Sequence, residues 1–360
     1  MNKVSKPTLL LIKKIAQNNI KRMAEKAKKS HVVYRPHFKT HLSAEIGEWY
    51  REAGVSCITV SSIDMAVYFA AHGWSDITIA FPVNILQIDV LAYLSKQVKL
   101  TLVVESKEGL AHINRNLKIG VNICIKIDTG YHRTGISFEK IDIIKEVISN
   151  IEEPHHFVGL MGHFGHTYRE TEAGKIRDIY NKGVKHLISI KSELEINDCK
   201  ISVGDTPSCS IVDDFAGVDE IRPGNLVFYD VMQQQIGSCN FEDIAVCLAV
   251  PVVAVHEDRA EIVVHGGAVH LSKDFIETEG VKNYGLVVKL GDRDWSKPLE
   301  GFYVSSLSQE HGIISLPKDQ VETIKVGDLL GILPIHSCLT ANIMKEYSLM
   351  RGDKITTIHS

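Results

Sequence analysis

The 360-residue chain has no long run of apolar residues. A helix that spans a membrane needs about 20 consecutive apolar residues, and no stretch of this sequence approaches that length. The N-terminal sequence MNKVSKPTLLLIKK carries only a short apolar run between lysines, which does not suffice for the core of a signal peptide. We therefore expect a cytoplasmic protein with no membrane partner.

An excess of charge of one sign is missing too. The chain has 40 lysines and arginines against 44 acidic residues, which gives a formal net charge of −4. Such a balance provides no basic field to attract nucleic acid or a membrane surface. The composition favours a small molecule as the partner.

Paired cysteines and repeats are lacking as well. The seven cysteines are scattered singly, their number is odd, and no CxxC pair occurs. This pattern argues against a disulfide framework. With 44% hydrophobic residues, the chain can still bury the cores of one large domain and one smaller one.

The first two-thirds of the chain alternate short β-branched runs with amphipathic segments. After a helix predicted at about residues 12–30, eight runs have the character of strands: residues 32–37, 56–60, 77–81, 100–104, 121–127, 157–161, 200–203 and 220–222. Between them, helices are predicted at residues 42–53, 63–72, 85–97, 138–150 and 176–194. Eight strand-and-helix repeats of this length predict a parallel (β/α)8 barrel of the TIM type.

From about residue 240 the sequence becomes rich in strands. Segments such as VCLAVPVVAVHE, YGLVVKL and GDLLGILPI are separated by glycine, proline and Asp-Arg turns. We therefore predict an α/β chain with two domains. Residues 12–239 are predicted to form the barrel, and residues 240–360, together with residues 1–11, a mainly-β domain.

Polar and glycine-rich segments follow the predicted barrel strands, where the active sites of such barrels form. The segments are RPHFKTH after the first strand, KIDTGYHRTG at the end of the fifth, GHFGHTY after the sixth, SVGDTPS after the seventh and RPGN after the eighth. Each also has an ordinary interpretation, because a lysine at a strand end is usually a solvated charge and the last two segments alone would be turns. Together, however, Lys39 could supply a nucleophilic amine, and the backbone N–H groups of the two turns could cradle a phosphate.

These motifs resemble those of the fold-type III pyridoxal-phosphate enzymes, specifically the D-serine dehydratase and D-threonine aldolase branch, which is distantly similar to alanine racemase. The resemblance extends over nearly the whole chain. RPHFKTH resembles the cofactor-lysine motif of this branch, which implies that Lys39 forms the Schiff base. KIDTGYHRTG is similar to the segment whose arginine, here Arg133, lies near the phenolic oxygen of the cofactor.

The same resemblance implies the remaining cofactor contacts. GHFGHTY resembles the segment whose histidine, here His163, packs against the pyridine ring and whose tyrosine, Tyr168, reaches the cofactor or the substrate. Either Arg222 or Tyr168 would face the pyridine nitrogen. The residues implied for the phosphate cradle are Gly204, Thr206, Gly224 and Asn225.

The C-terminal segments SQEHGII and PIHSCLTAN resemble the metal-binding region of this branch. The resemblance implies that His336 and Cys338 hold a divalent ion beside the cofactor. Imidazole and thiolate suit Zn²⁺, whereas a carboxylate in the second position would suit Mn²⁺ or Mg²⁺. Because dehydratases of the branch tend to carry cysteine there and aldolases aspartate, Cys338 favours a dehydratase.

The resemblance thus implies a pyridoxal-phosphate- and metal-dependent lyase that acts on a D-3-hydroxy amino acid. With D-serine, β-elimination would give a 2-oxo acid and ammonia, with Lys39 as the general base and Tyr168 as a second catalytic candidate. Retro-aldol cleavage to glycine and an aldehyde is the alternative. Relatives of this fold form dimers, so we expect a homodimer.

Three further interpretations stay open: an amino-acid racemase, a non-catalytic pyridoxal-phosphate carrier, and a structural zinc protein. A racemase needs a second base and no metal, a carrier can do without the C-terminal domain, and a structural zinc has a closed coordination shell. Two departures from the branch concern the substrate. Asp205 puts a carboxylate near the predicted phosphate, and VHGGAVHLSKD lacks an acidic residue near its start.

Overall fold

A computed structural model describes residues 4–196 and 198–360. Residues 1–3 of the predicted N-terminal segment 1–11 lie outside the described part. The chain divides into two compact units, each assembled from segments that are distant in sequence. The barrel unit consists of residues 21–39 and 47–224, and the β unit consists of residues up to Ile20, residues 40–46 and residues 225–360.

The described residues form twenty strands and eleven α-helices. The strands are β1 (Thr8–Leu11), β2 (Val33–Tyr34), β3 (Ile58–Val60), β4 (Asp76–Pro82), β5 (Lys99–Val104), β6 (Asn122–Asp128), β7 (Ile136–Ser137), β8 (His156–Met161), β9 (Lys200–Val203), β10 (Glu220–Ile221), β11 (Val246–His256), β12 (Glu261–His265), β13 (Ile276–Thr278), β14 (Val281–Asn283), β15 (Gly285–Lys289), β16 (Tyr303–Leu307), β17 (His311–Ser315), β18 (Leu329–Pro334), β19 (Glu346–Leu349) and β20 (Lys354–Thr356). The helices are α1 (Lys13–Lys29), α2 (Ala44–Glu52), α3 (Ile63–Ala71), α4 (Ile88–Leu94), α5 (Lys107–Asn116), α6 (Ile141–Ser149), α7 (Ala173–Leu194), α8 (Thr206–Ile211), α9 (Val231–Ile236), α10 (Ala268–Leu271) and α11 (Ser337–Met344).

The barrel unit contains an eight-stranded parallel sheet in the order β2-β10-β9-β8-β6-β5-β4-β3. A parallel bridge between His37 and Thr59 joins the two ends of this sheet and closes it into a barrel. The central strands are apolar along their length, as expected for strands that are covered on both faces. The predicted barrel and its eight strands are confirmed.

The helices of the barrel unit begin at residues that cap them. The Ser62 hydroxyl accepts a hydrogen bond from Met65 N–H at the start of α3, and the Ser106 hydroxyl accepts one from Gly109 N–H at the start of α5. Helix α5 was not among the predicted helices. No helix in the described part of the chain is both long enough and apolar enough to cross a membrane.

The β unit is built on one nine-stranded sheet. Six of its strands, in the order β12-β17-β16-β15-β18-β11, close on themselves because β12 also pairs with β11, and the predicted mainly-β character is confirmed. The closed part surrounds a core that includes Leu248, Val264, Ile314 and Ile332. Strand β1 continues the sheet from β11 and is followed by β19 and β20. Helix α11, which the strand-rich sequence did not predict, begins immediately after His336.

Candidate active site

Lys39 follows β2 at the C-terminal rim of the barrel. Its side chain is exposed, and its backbone N–H donates a hydrogen bond to Nδ1 of His37 over 3.4 Å. Burial, together with the positive charges of Lys39 and Arg222, holds the pKa of His37 well below its usual range. His37 is therefore neutral, and the cations around it make this rim attractive to an anion.

The loop after β6 is organised by Asp128. Its carboxylate accepts hydrogen bonds from the backbone N–H groups of Gly130 (2.9 Å) and His132 (3.0 Å), and its second oxygen lies 3.0 Å from Nδ1 of His132. Burial alone would raise the pKa of this carboxyl, but these hydrogen bonds lower it. The guanidinium of Arg133 lies over the ring of Tyr131, 5.0 Å from its centre. The loop thus presents Arg133, the predicted contact of the cofactor's phenolic oxygen, on a fixed turn.

His163 lies after β8 and is held in one tautomer. Its Nδ1–H donates to the carbonyl oxygen of Gly204 over 2.6 Å, which leaves Nε2 as a hydrogen-bond acceptor. Burial and the charge of Lys126 keep the pKa of His163 well below its usual range. The imidazole is therefore neutral, as suits a ring that packs against another ring.

Tyr168 and Arg222 are the two candidates for the pyridine nitrogen. The phenolic oxygen of Tyr168 accepts a hydrogen bond from Thr206 N–H over 3.3 Å, so Tyr168 reaches the predicted phosphate segment. The buried guanidinium of Arg222 donates through Nε to Ser202 Oγ (2.8 Å) and through Nη2 to the Gly162 carbonyl (2.6 Å). Its third nitrogen, Nη1, has no hydrogen bond among the described residues, which favours Arg222 as the group that faces the ring.

The segments 204–206 and 222–224 fit a phosphate group. A Cβ added to Gly204 would lie 2.8 Å from the backbone of Arg222, and one added to Gly224 would lie 2.5 Å from the carbonyl oxygen of His37. Only glycine therefore allows these backbones to approach so closely. The hydroxyl of Thr206 is buried and has no hydrogen-bond partner among the described residues, so a ligand oxygen could satisfy it.

Asp205, the departure noted in the sequence, has a structural role. Its Oδ1 caps α8 by accepting from Ser208 N–H (2.8 Å) and also accepts from the Thr167 hydroxyl (2.9 Å). Burial raises the pKa of this carboxyl to about 6. The carboxylate is thus engaged by the helix and by Thr167, and the barrel rim as a whole fits pyridoxal phosphate.

The β unit brings His336 and Cys338 together at the start of α11. His336 Nδ1–H donates to Asp274 over 2.7 Å, so the other ring nitrogen is left to bind a metal. Burial by itself lowers the pKa of His336, but its hydrogen bonds to Asp274 and Cys338 raise it to about 11. Conversely, burial alone would raise the pKa of the Cys338 thiol, whereas the contact with His336 lowers it. An imidazole and a thiolate that share a proton can share a zinc ion instead, so the pair fits a divalent metal.

Two further side chains contact the sulfur of Cys338. Thr40 Oγ1 lies 3.3 Å and Asn225 Nδ2 lies 3.4 Å from Sγ. The Asn225 amide also donates to Asp230 (2.7 Å) and to the hydroxyl of Ser337 (3.1 Å). The amide nitrogen of Asn225 is therefore engaged around the predicted metal ligand, whereas its Oδ1 is buried without a hydrogen-bond partner among the described residues.

Sequence reasoning assigned no role to Asp274, Thr40 or Lys126. Thr40 and Asp274 stand in the quoted segments RPHFKTH and VHGGAVHLSKD, but both lie far from Cys338 in sequence, and no local pattern links them to it. Lys126, in contrast, has a visible signal, because it interrupts the apolar strand sequence ICIKID. Its burial and the nearby charge of Arg222 lower its pKa to about 7.

Comparison with known proteins relates the chain to pyridoxal-phosphate enzymes. The family "Alanine racemase, N-terminal domain" matches residues 14–231, and the family "Putative serine dehydratase domain" matches residues 245–350. The D-serine dehydratase of Dictyostelium discoideum is 28% identical over 98% of this chain and 95% of its own length. The D-threo-3-hydroxyaspartate dehydratase of a Delftia species is 27% identical over 94% of this chain and 92% of its own length.

The solved structure of the Delftia enzyme covers 99% of this chain and 98% of its own, with a TM-score of 0.91 and 25% identity. Two further structures of that enzyme are of a histidine-to-alanine mutant and, in the metal-free form, of a cysteine-to-alanine mutant. The two mutated positions of that enzyme are two residues apart. Because the racemase-type model covers more than half of the sequence, the chain belongs to the alanine racemase N-terminal domain family.

Proposed function

We propose that the protein is a pyridoxal-phosphate- and metal-dependent lyase that acts on D-3-hydroxy amino acids, by β-elimination of the D-serine dehydratase type. The observation that carries the proposal is the His336–Cys338 pair with its Asp274 partner. A racemase or a cofactor carrier has no use for this pair, whereas in a dehydratase a metal held by the pair would act as a Lewis acid for the leaving hydroxyl. Two of the relatives are D-serine and D-threo-3-hydroxyaspartate dehydratases.

Two sets of residues would hold the two groups that the reaction needs. Lys39, Arg133, His163, Arg222 and the glycine segments would hold pyridoxal phosphate, and His336 and Cys338 would hold the metal. When bound, the cofactor withdraws electrons from the substrate Cα and the metal neutralises the departing hydroxyl. The remaining chemistry depends on the side chains of the chain itself.

The amine of Lys39 serves as the base that takes the Cα proton of the substrate. The amine is accessible to a substrate because the side chain is exposed, and the cations of the rim attract an anion such as the substrate carboxylate. Asp274 keeps the His336 imidazole in the tautomer that leaves Nε2 available. The Asn225 amide donates to the sulfur of Cys338, and the Thr40 hydroxyl shares a hydrogen bond with it. Arg222 supplies a cation that does not give up its proton.

Two finer inferences rest on the motif resemblance: zinc as the metal and a homodimer as the assembly. The proposed cytoplasmic location rests instead on the sequence, in which no apolar stretch approaches the length of a membrane span. Zinc is supported in addition by the donor set of one imidazole and one thiolate. The aldolase alternative is less favoured because its metal site in this branch tends to carry a carboxylate in place of the cysteine.

The test is product analysis of the purified protein with D-serine, D-threonine and D-3-hydroxyaspartate, before and after treatment with a chelator. We expect a 2-oxo acid and ammonia, and loss of activity on chelation while the visible absorbance of the bound cofactor persists. Glycine as the product would replace the dehydratase with the aldolase, and absorbance without turnover on any substrate would indicate a carrier.

The role of Lys39 is tested separately by the visible spectrum. Lys39→Ala should lose the absorbance of the covalently held cofactor, whereas Lys96→Ala, which changes an exposed lysine of the same unit, should keep it. A Lys39→Ala protein with an unchanged spectrum would remove the central assignment.

A further inference from the structure

Three metal-binding side chains meet in the β unit without using any residue of the His336–Cys338 pair. They are His265 at the end of β12, His270 in α10 and Glu310 in the turn between β16 and β17. The carboxylate oxygen Oε2 of Glu310 lies 3.6 Å from Nε2 of His265 and 3.8 Å from Nε2 of His270. We propose that these residues form a second divalent-metal site, suited to an ion of the zinc class.

The two distances from the Glu310 carboxylate need only a small contraction, and the ligand atoms of all three side chains lie within 4.8 Å of one another. In a tetrahedral site with metal–ligand bonds of about 2.0–2.1 Å, neighbouring ligand atoms lie about 3.4 Å apart. Two imidazoles and one carboxylate suit Zn²⁺ and related transition ions better than Ca²⁺ or Mg²⁺, which prefer oxygen ligands alone. Three protein ligands leave one coordination position open to water or to an anion.

The site is built by two turns that are joined through their backbones. Gly266 N–H donates to the Glu310 carbonyl (2.9 Å), and Ala268 N–H donates to the Ser308 carbonyl (2.8 Å). A Cβ on Gly267 would lie 2.4 Å from the carbonyl oxygen of Gln309, so the Gly-Gly sequence is what allows this contact. The three side chains therefore converge from a preorganised frame, which reduces the entropy cost of binding an ion.

The ligands are accessible from solvent to different degrees. The side chains of His265 and Glu310 are 42% and 49% exposed, whereas that of His270 is only 15% exposed. An ion can thus reach the site from solvent, and the largely buried His270 is the ligand with the least freedom to move. Both histidines of the sequence VHGGAVHLSKD belong to this cluster.

One hydrogen bond limits the affinity. Gly267 N–H donates to Nδ1 of His270 over 3.2 Å, so in the metal-free chain the proton of a neutral His270 lies on Nε2. A metal at Nε2 needs that proton on Nδ1, and binding therefore gives up this long hydrogen bond. We expect the site to bind zinc more weakly than the pair of His336 and Cys338.

The experiment measures zinc binding to the chelator-treated full chain by competition with a chromophoric chelator. The double variant His336→Ala/Cys338→Ala removes the first pair and should still bind one equivalent of zinc. Adding Glu310→Gln or His270→Ala should weaken that binding by at least about 100-fold. Adding His311→Ala should not, because His311 is an exposed histidine next to Glu310 that does not belong to the cluster.

Two results would overturn the proposal. One is a folded double variant that binds no zinc, and the other is an equal loss of affinity in the Glu310→Gln and His311→Ala backgrounds, which would mean unspecific surface binding.

If the double variant does not fold, cobalt titration of the unmodified chain replaces it. The Cys338 site then gives a thiolate-to-cobalt absorption band and the second site does not, so a second equivalent that binds without adding to the band supports the proposal. If no cobalt binds beyond the equivalent that gives the thiolate band, the proposal is contradicted. Neither measurement depends on the proposed lyase activity.

Discussion

The side chains of Asp274 and His336 lie 2.7 Å apart although 62 residues separate them in the sequence. The carboxylate fixes which imidazole nitrogen carries the proton and raises the basicity of the other nitrogen. It also fixes the orientation of the ring. Asp274 is therefore a positioning residue for the predicted metal site.

We predict that Asp274→Asn weakens metal binding at Cys338 about tenfold and that Asp274→Ala weakens it about 100-fold. The amide can still accept the Nδ1–H hydrogen bond but has lost the charge, whereas alanine loses both. Cobalt titration that follows the thiolate-to-cobalt band measures this site alone. Asp292→Asn, at an exposed position of the same unit, is the control, and equal affinity in all four proteins would contradict the assigned role.

Asp205 makes folding stability depend on pH. Its pKa is about 6 in the folded chain and 3.8 for an ordinary aspartate, so the folded state binds more protons between these values. The contribution of Asp205 to the free energy of unfolding is therefore fully present below about pH 4 and is lost as the pH rises through 6. Each unit of pKa shift corresponds to about 1.4 kcal/mol.

We predict that the thermal-unfolding midpoint of Asp205→Asn rises relative to that of the unmodified protein as the pH increases from 4 to 7. Asparagine caps a helix as well as aspartate does but cannot ionise in a buried position. Asp205→Ser, a second capping residue that does not titrate, should show the same trend. The midpoint of thermal unfolding measures the effect, and a difference between variant and parent that does not change with pH would contradict it.

Residues in local motifs could be predicted from the sequence, whereas contacts between residues that are distant in the chain could not. Lys39, His336 and Cys338 lie in motifs whose residues are close in sequence, so the resemblance of these motifs to those of a known family pointed to them. The environment of Lys126 depends on Arg222, and that of Cys338 depends on Thr40, both of which are distant in the chain. Contacts of this kind follow from the closed sheets and leave no local trace.

At the scale of elements, the strands were predictable and several helices were not. Most of the barrel strands are apolar runs rich in β-branched residues, and burial of both faces of a parallel sheet favours such runs. The two-residue strand β10, with the sequence EI, is an exception. Helix α5 has only Leu110 and Ile113 buried, so its apolar periodicity is too weak to be recognised. Helix α11 has a mixed sequence, SCLTANIM, and follows a strand directly.

The two glycine segments of the barrel rim give an element-scale prediction. We expect Gly224→Ala to lower the thermal-unfolding midpoint and to weaken pyridoxal-phosphate binding, because its Cβ would lie 2.5 Å from the His37 carbonyl oxygen. The segment after β10 would have to move away from the end of β2. Fluorescence titration with the cofactor and thermal unfolding measure the two effects.

A matched control lies in α7. Gly174 has open space around its Cβ position and no positive φ, so Gly174→Ala should leave cofactor binding unchanged and should not lower the unfolding midpoint. If Gly224→Ala behaved like Gly174→Ala, the close approach of the two segments would not be needed for the site.

At the scale of the whole molecule, both compact units are discontinuous in sequence. The strand-rich composition placed the start of the second domain at residue 240, whereas the structure groups residues from Asn225 onward with the β unit, together with residues 40–46. Composition changes gradually along the chain, and a unit boundary depends on which segments pack together. The inclusion of residues 40–46 arises from contacts such as that between the Tyr347 hydroxyl and the His41 carbonyl (2.8 Å), which no pattern of residue types announces.

Strand β1 is the clearest consequence of this discontinuity. It pairs antiparallel with β11 and parallel with β19, with Leu10 opposite Cys247 and Ser348. A fragment of residues 225–360 lacks this strand, so the edge of β11 would be open and the apolar residues of the strand would lose their partners. We predict that this fragment, expressed alone, is aggregated or unfolded, whereas the same fragment preceded by residues 4–20 and a flexible linker is more soluble and unfolds at a higher temperature. Size-exclusion chromatography and circular dichroism compare the two, and a fragment of residues 225–360 that unfolds cooperatively as a monomer would show that β1 is dispensable.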